Sequence, residues 1–331
     1  VRSGPPSGPG AAGDAGRERL GRLLLGGLDL GSRLREAVTP PPAADLDGWL
    51  ARAEAAPQRA FLGRCLRWAH RGTTLEVVLD RSPANEIGTE MLGELERLAA
   101  YLEAGAGGAR ALILESAVPR GFSAGADLRE LYGNLQDRRA RGVSLLAQAR
   151  ELRRFVDRIH RVMDTLDRVP LPTVAALHGV VMGGGLELAL TCDVLVADRS
   201  ARFAFPELRL GLVPGFGGLP RLRRDVGNGV VRDLLLSGRS IRAARAQELG
   251  LVSQLVGRGE APAVARALAV QAARFDRRTV AQGKRFAKPW PRRDLARERA
   301  LFTRMFTSPV LEGALRDFVT STDPMPYLPP R

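Results

Sequence analysis

Two glutamates stand in surroundings that leave them few ordinary uses. Glu187 lies in Met182-Gly183-Gly184-Gly185-Leu186-Glu187-Leu188-Ala189-Leu190, and Glu207, 20 residues further on, lies in Phe205-Pro206-Glu207-Leu208-Arg209-Leu210-Gly211. A carboxylate among aliphatic side chains is costly to bury without a partner or a purpose. Proton transfer is one such purpose, and an exposed glutamate at a helix start is the plainer reading of Glu187. Three consecutive glycines leading into an apolar helix expose unpaired N–H groups, an arrangement that can stabilise an oxyanion. Glu187 follows Gly184 by about one helical turn, so it can face the same space. A second small-residue turn, Gly121-Phe122-Ser123-Ala124-Gly125-Ala126-Asp127-Leu128, lets the chain bend sharply and a ligand approach main-chain amides. By itself it also reads as a strand-to-helix turn with Asp127 in the first helical turn. Val213-Pro214-Gly215-Phe216-Gly217-Gly218 is a third glycine-rich loop, suited to close packing round a ligand or to a surface turn.

The elements that must position these groups show a change of pattern near Thr73. Leu75, Val77 and Leu79 recur with period two, giving a strand that ends at Asp80-Arg81-Ser82-Pro83. Met91, Leu92, Leu95, Leu98 and Leu102 then recur at helical spacing, and Ala111–Leu114 is an apolar run suited to a buried strand. The alternation continues with a long polar-rich helix over 143–168, strands at 173–177, 194–197 and 202–205, and a helix after Gly183. It predicts an α/β core with mostly parallel strands. After about Gly257 the strand signals stop and helices are expected. Before the core, residues 1–16 have too little bulk to fold, a short helix is expected around 20–34, and Thr39-Pro40-Pro41-Pro42 breaks the chain. Asp45 fits as the N-cap of a helix carrying Trp49 and Ala53. The division read from the chain is an N-terminal extension (1–70, partly disordered with short helices), a core (71–256) and a helical C-terminal region (257–331).

Composition narrows the function classes. The 331 residues are 45% apolar, an ordinary value for a globular protein. Cys65 and Cys192 support neither a disulfide framework nor a zinc site and read as buried hydrophobes. No apolar run approaches the roughly 18 residues needed to span a bilayer, and the first residues lack a secretory-signal pattern, so no membrane partner and a cytoplasmic location are expected. The net charge of +14 raises the question of nucleic acid, yet 48 of the 50 basic residues are arginine and most are interspersed with acids. From Arg274 to Arg304, 11 basic residues meet 3 acidic ones. A solvated face is the first reading of that stretch, and binding of ligand phosphates the second.

Taken in order, GFSAGADL, HGVVMGGGLELALTCDVLVAD, FAFPELRLGLVPGFGGLPRL and LLLSGRSIRAARAQELGLVSQLV resemble the enoyl-CoA hydratase/isomerase (crotonase) family from about Thr73 to the C-terminus. The resemblance implies a crotonase-like (ClpP/crotonase) spiral core of ββα units with a C-terminal helical trimerisation region, and a homotrimer or a hexamer built as a dimer of trimers. It implies an acyl-CoA substrate, coenzyme A entering as part of it, with no permanently bound cofactor and no metal. Residue by residue, Ala126 and Gly184 match the oxyanion-hole donors, while Glu187 and Glu207 match the paired glutamates that hold a water, one taking its proton and the other supplying a proton to the α-carbon. Ser123, Ala124, Gly125, Asp127, Gly183, Pro206 and Gly215 fall in the matching substrate-binding loops. Both glutamates together favour hydration of a 2-enoyl-CoA, or the reverse, over isomerisation, which relies on the Glu207 equivalent alone. Two departures stand out. The segment Arg81-Ser82-Pro83-Ala84-Asn85 lacks the lysine that relatives carry near the CoA phosphates, leaving Arg81, or Lys284 with Arg285, to replace it. His178 sits where relatives carry Asn and reads as structural. Asp127 and Glu130 read as first-turn helix residues, and His70 and His160 have no chemical context. Of another class, an RNA-binding protein with secondary catalysis is the alternative, disfavoured by the intact glutamates.

Overall fold

A computed structural model describes residues 45–306 and 308–321. The expectations for residues 1–16, for a helix at 20–34 and for the break at 39–42 lie outside the described residues. Eleven strands are described: β1 (Phe61–Leu62), β2 (Leu66–Arg71), β3 (Thr74–Leu79), β4 (Ala111–Ser116), β5 (Gly121–Ser123), β6 (Thr173–Leu177), β7 (Val180–Met182), β8 (Val194–Asp198), β9 (Arg202–Ala204), β10 (Ile241–Arg242) and β11 (Gln254–Val256). The α-helices are α1 (Leu46–Ala55), α2 (Thr89–Glu103), α3 (Leu128–Ala140), α4 (Leu145–Arg168), α5 (Gly184–Ala189), α6 (Gly218–Val226), α7 (Asn228–Ser237), α8 (Ala243–Glu248), α9 (Ala261–Ala272), α10 (Arg277–Ala287), α11 (Arg292–Met305) and α12 (Pro309–Thr320).

The strands form two sheets, one in the order β1-β2-β3-β4-β6-β8-β11 and one in the order β10-β9-β7-β5. From β3 to β11 the large sheet is parallel, and its β1-β2-β3 edge is antiparallel. Each central strand of the large sheet is followed by a short strand in the small one: β4 by β5, β6 by β7, β8 by β9. This repeat is the crotonase-like spiral. It places the turns after β5 and β7 side by side, because β5 pairs with β7 and β7 with β9, all parallel.

Burial on both faces explains why β4 and β6 read as unbroken apolar runs. Leu112 and Leu114 enter the main core, while Ala111 and Ile113 meet Ala261, Ala265, Ala269 and Ala273 on the far face. Alanine at every fourth position lets α9 lie close against the sheet, so the C-terminal helices begin as part of the core. The N-terminal boundary needs a correction. β2 runs through residue 70 and pairs with β3 along its whole length, so the core starts before 71. Its more exposed outward positions, which alternate with Leu66 and Trp68, disguise a strand that lies one in from the edge of the sheet. Asp45 caps α1 as expected, accepting the Gly48 N–H at 2.8 Å. Trp49 is buried and donates its indole N–H to the Leu102 carbonyl at 2.9 Å, which docks α1 on α2. The helix expected over 143–168 is α4, preceded by a separate α3. Both cysteines are buried and free, and among the described residues no helix is long and apolar enough to cross a membrane.

The basic stretch 274–304 is largely turned inward or paired. Lys284 meets Asp193 at 2.8 Å, Lys288 meets Asp167 at 3.0 Å and Asp193 at 2.9 Å, and Arg299 meets Asp157 at 3.1 Å. Arg278 pairs with Asp47, and Arg277 donates to the Gly108 and Ala109 carbonyls.

Candidate active site

The turn after β5 is held from three sides. Ala124 N–H donates to the Ala84 carbonyl (2.9 Å), Gly125 N–H to Ser123 Oγ (3.1 Å) and Asp127 N–H to the Ile87 carbonyl (3.2 Å). Ser123 Oγ in turn donates to the Asn85 carbonyl at 2.7 Å. The amide between them, that of Ala126, has no acceptor among the described residues. After β7, Gly183 N–H donates to the Ala204 carbonyl (3.0 Å), and the next amide, Gly184, is again left without one. The two turns touch. A methyl placed on Gly125 would fall 2.9 Å from Gly184 N, and one on Gly184 would fall 3.4 Å from Ala126 N. Gly125 also has φ of 96°, a conformation side chains resist. Two unpaired N–H donors therefore converge on one cavity of about 180 Å³.

Both glutamates reach that cavity. Glu187, on α5, is 2% exposed, and its Oε1 accepts the Phe216 and Gly218 amides at 2.8 Å each. Burial pushes its carboxyl up to about 7, against the pull of those amides and of Arg221. Glu207 opens a 3-10 turn, Glu207–Leu210, reached through Pro206. Its Oε2 is buried without a hydrogen-bond partner among the described residues. Burial first, then the Glu187 charge, drives Glu207 well above the ordinary carboxylate range. Gly183, with φ of 50°, lies so close that a methyl there would be 2.8 Å from Glu207 Oε1. Glu187, with two amide donors on its carboxylate, is therefore the more readily ionised member of the pair and Glu207 the more readily protonated one. A polarisable carbonyl beside the two free amides would face one proton acceptor and one proton donor.

Of the residues singled out from the sequence, Ala124, Ala126, Asp127, Gly183, Gly184, Glu187, Pro206, Glu207 and Gly215 line the cavity. Ser123 and Gly125 do not line it; they shape the turn that presents Ala126. Asp127 caps α3, accepting the Glu130 N–H at 2.9 Å, and pairs with Arg81 at 2.6 Å. Lys284 is a correction. Its ammonium is buried, donates to the Leu171 carbonyl at 2.9 Å and pairs with Asp193, away from the cavity. Arg81, the other replacement considered for the missing lysine, is engaged by Asp127 and the Glu86 carbonyl. His178 contacts the Val118 carbonyl at 3.0 Å, as a structural histidine does.

Three side chains beneath the 215–219 loop were not legible as site residues. Arg221 is fully buried, donates to the Phe216 and Gly217 carbonyls, and pairs with Asp164 (2.7 Å) and Asp167 (3.1 Å). His160 holds the Gly215 carbonyl at 2.9 Å, and burial pushes its imidazole down to about 3. Glu298 on α11 is 6% exposed and accepts the Gly217 (2.7 Å) and Leu219 (3.0 Å) amides. Its place between Leu295 and Phe302 on one apolar helix face is the signal that marks it. Much of the remaining cavity wall is apolar, with Leu131, Leu152, Phe155, Phe216, Phe302 and Phe306 among its side chains; Glu86, Thr89, Glu130 and Asn134 also border it, as do Arg138 and Glu151, paired at 2.8 Å. Among the described residues no group of His, Cys, Asp or Glu is arranged to hold a metal ion.

The family described as enoyl-CoA hydratase/isomerase matches residues 70–320. The Arabidopsis thaliana protein named probable enoyl-CoA hydratase 2, mitochondrial, is 37% identical over 188 residues, which is 56% of this chain and 58%, less than two thirds, of that protein. Human methylglutaconyl-CoA hydratase, mitochondrial, is 31% identical over 264 residues, covering 75% of this chain and 74% of that one. The crystal structure of enoyl-CoA hydratase from Bacillus anthracis superposes with a TM-score of 0.60 at 29% identity, covering 77% of this chain and 96% of that one.

Proposed function

The chain belongs to the enoyl-CoA hydratase/isomerase family, and on that premise we propose that it adds water to a 2-enoyl-CoA thioester, or removes it in reverse, with Glu187 and Glu207 as its acid–base pair. The observation that carries this reading is the meeting of two buried carboxyls and two unpaired amides in a single cavity. In the forward direction the thioester oxygen sits between the Ala126 and Gly184 N–H groups. Water bound between the carboxyls gives a proton to Glu187 as its oxygen bonds to C3. The electron pair of the C2–C3 double bond moves onto the thioester, and the two amides stabilise the enolate oxygen, a contribution of about 3–4 kcal/mol for a single such donor. Glu207 then delivers its proton to C2, giving a 3-hydroxyacyl-CoA. Water is a weak nucleophile at neutral pH, so the base is required, and a positioned acid–base group typically contributes about 10²–10⁴-fold. The division of labour follows from environment. Two amides favour the ionised form of Glu187, whereas Glu207 Oε2 is buried with no donor among the described residues to support a charge.

The apolar wall supports an acyl group with hydrocarbon character in the cavity. Homotrimeric or hexameric assembly, and coenzyme A as a component of the substrate with no resident cofactor, belong to this same proposal. RNA binding through the arginine-rich surface has less support, because much of the 274–304 stretch is engaged in internal pairs. Assaying short, branched, aromatic and long 2-enoyl-CoAs for hydration, beside 3-enoyl-CoAs for isomerisation, tests the proposal. Formation of 3-hydroxyacyl-CoA is expected. Rapid 3-to-2 isomerisation with no hydroxylated product would contradict it.

A further inference from the structure

The amides of Phe216, Gly217, Gly218 and Leu219 form a strap at the start of α6, and two buried carboxylates grip it alternately. Glu187 takes the first and third amides, and Glu298 takes the second and fourth. Neighbouring amides thus point to opposite sides, one carboxylate per side, and neither glutamate can shift without turning the strap. Glu298 comes from α11, far along the chain, and buries its carboxyl with both oxygens bonded. We propose, on the reading of Glu187 given above, that Glu298 is a positioning residue: it fixes the Phe216–Leu219 strap in the register that orients Glu187.

The groups facing this pair come from each element packed on it. Glu187 is on α5 and Glu207 on the 3-10 turn. Arg221 on α6 lies beneath the strap with its guanidinium on the Phe216 and Gly217 carbonyls. From α4, His160 binds the Gly215 carbonyl, while Asp164 and Asp167 neutralise Arg221. Arg299, beside Glu298 on α11, pairs with Asp157. One cation, already paired with two aspartates, thus faces both Glu187 and Glu298. Burial first, then repulsion from Glu187, pushes Glu298 well above the ordinary carboxylate range.

Full-length Glu298→Gln and Glu298→Asp variants each weaken the grip on the strap. The readouts are carbon-13 NMR titration of the Glu187 carboxyl, identified by its loss in Glu187→Gln, together with kcat, KM and Tm. Gln turns an N–H towards an amide. As the strap loosens, Glu187 loses the pull of the Phe216 and Gly218 amides, so its titration should move to higher pH, and kcat should fall about tenfold with KM within about twofold, as a misplaced catalytic group predicts. Asp is one methylene too short to span both amides. Its kcat should fall and its Glu187 titration should move in the same direction. A folded Glu298→Gln with wild-type titration and kcat would overturn the proposal. If Gln prevents folding, unchanged kcat in Glu298→Asp overturns it instead. The titration decides the role of Glu298 even if Glu187→Gln leaves hydration intact, an outcome that would sink the hydratase reading on its own.

Discussion

Two sets of backbone amides lie near the same cavity and are treated in opposite ways. Between Phe216 and Leu219 every amide has a carboxylate acceptor from Glu187 or Glu298. Among the described residues the amides of Ala126 and Gly184 have no acceptor, although their neighbours Gly125, Asp127 and Gly183 are all bonded. Most main-chain donors within a fold find a partner, so two side by side on a cavity wall without one are a feature to be explained. In the proposed reaction the difference is one of timing. The filled set holds charges that belong to the protein, and the empty set awaits a charge that exists only on the substrate, and only near the transition state.

The strongest way to break this contrast is to remove a carboxylate. Glu187→Gln and Glu207→Gln should each lower kcat for hydration by at least about a hundredfold, with thioester binding, followed by calorimetry, largely kept. Filling the empty set comes next. In Gly184→Ala the new methyl would meet the Phe216 ring at about 2.7 Å and stand 3.4 Å from Ala126 N. A fall in kcat of about tenfold to a hundredfold is expected, as for loss of an oxyanion donor, and an unchanged kcat would deny these amides their role. Ser123→Ala leaves both amides in place but releases the turn that presents Ala126. A threefold to tenfold loss, in the range of about 1 kcal/mol for one hydrogen bond, would separate aim from presence. Lys284→Ala should leave KM for the thioester within about twofold, since its ammonium is buried against Asp193 rather than at the cavity. It should instead lower stability by about 3 kcal/mol, the cost of breaking a buried pair.

The pH dependence follows from the same environments. Glu187 must be ionised, so kcat should rise as pH increases through about 7, and it should fall once pH passes the still higher value at which Glu207 loses its proton. Stability runs the other way. Both carboxyls titrate higher in the folded protein than in the unfolded chain, so the fold holds extra protons between those values and stability declines as pH rises through them. Glu207→Gln should therefore be more stable than wild type at pH 8, by about 2–5 °C in Tm, while being far less active.

What could be read from the sequence was what shows locally. β4, β6 and β8 were visible as apolar runs, and Glu187 and Glu207 as acids among aliphatic residues. The three-residue strands β5, β7 and β9 are too short to establish a period, yet they bring the two turns together. Glu298 and Arg221 were hidden by their neighbours, since in Arg297-Glu298-Arg299 and Arg221-Leu222-Arg223-Arg224 a charged residue reads as part of a solvated face. Their partners, Gly217, Leu219, Asp164 and Asp167, are contributed by other elements or across a loop. Lys284 misled for the same reason: its partner Asp193 is 91 residues away by the numbering, so the pair that removes it from the surface cannot be seen from its own surroundings.

The central claim is that Glu207 carries the proton and Glu187 the charge when substrate arrives. Infrared difference spectra at pH 8, wild type against each Glu→Gln variant, test it most directly. The account predicts a protonated-carboxyl band that disappears in Glu207→Gln and persists in Glu187→Gln; a band lost in Glu187→Gln and kept in Glu207→Gln would contradict it.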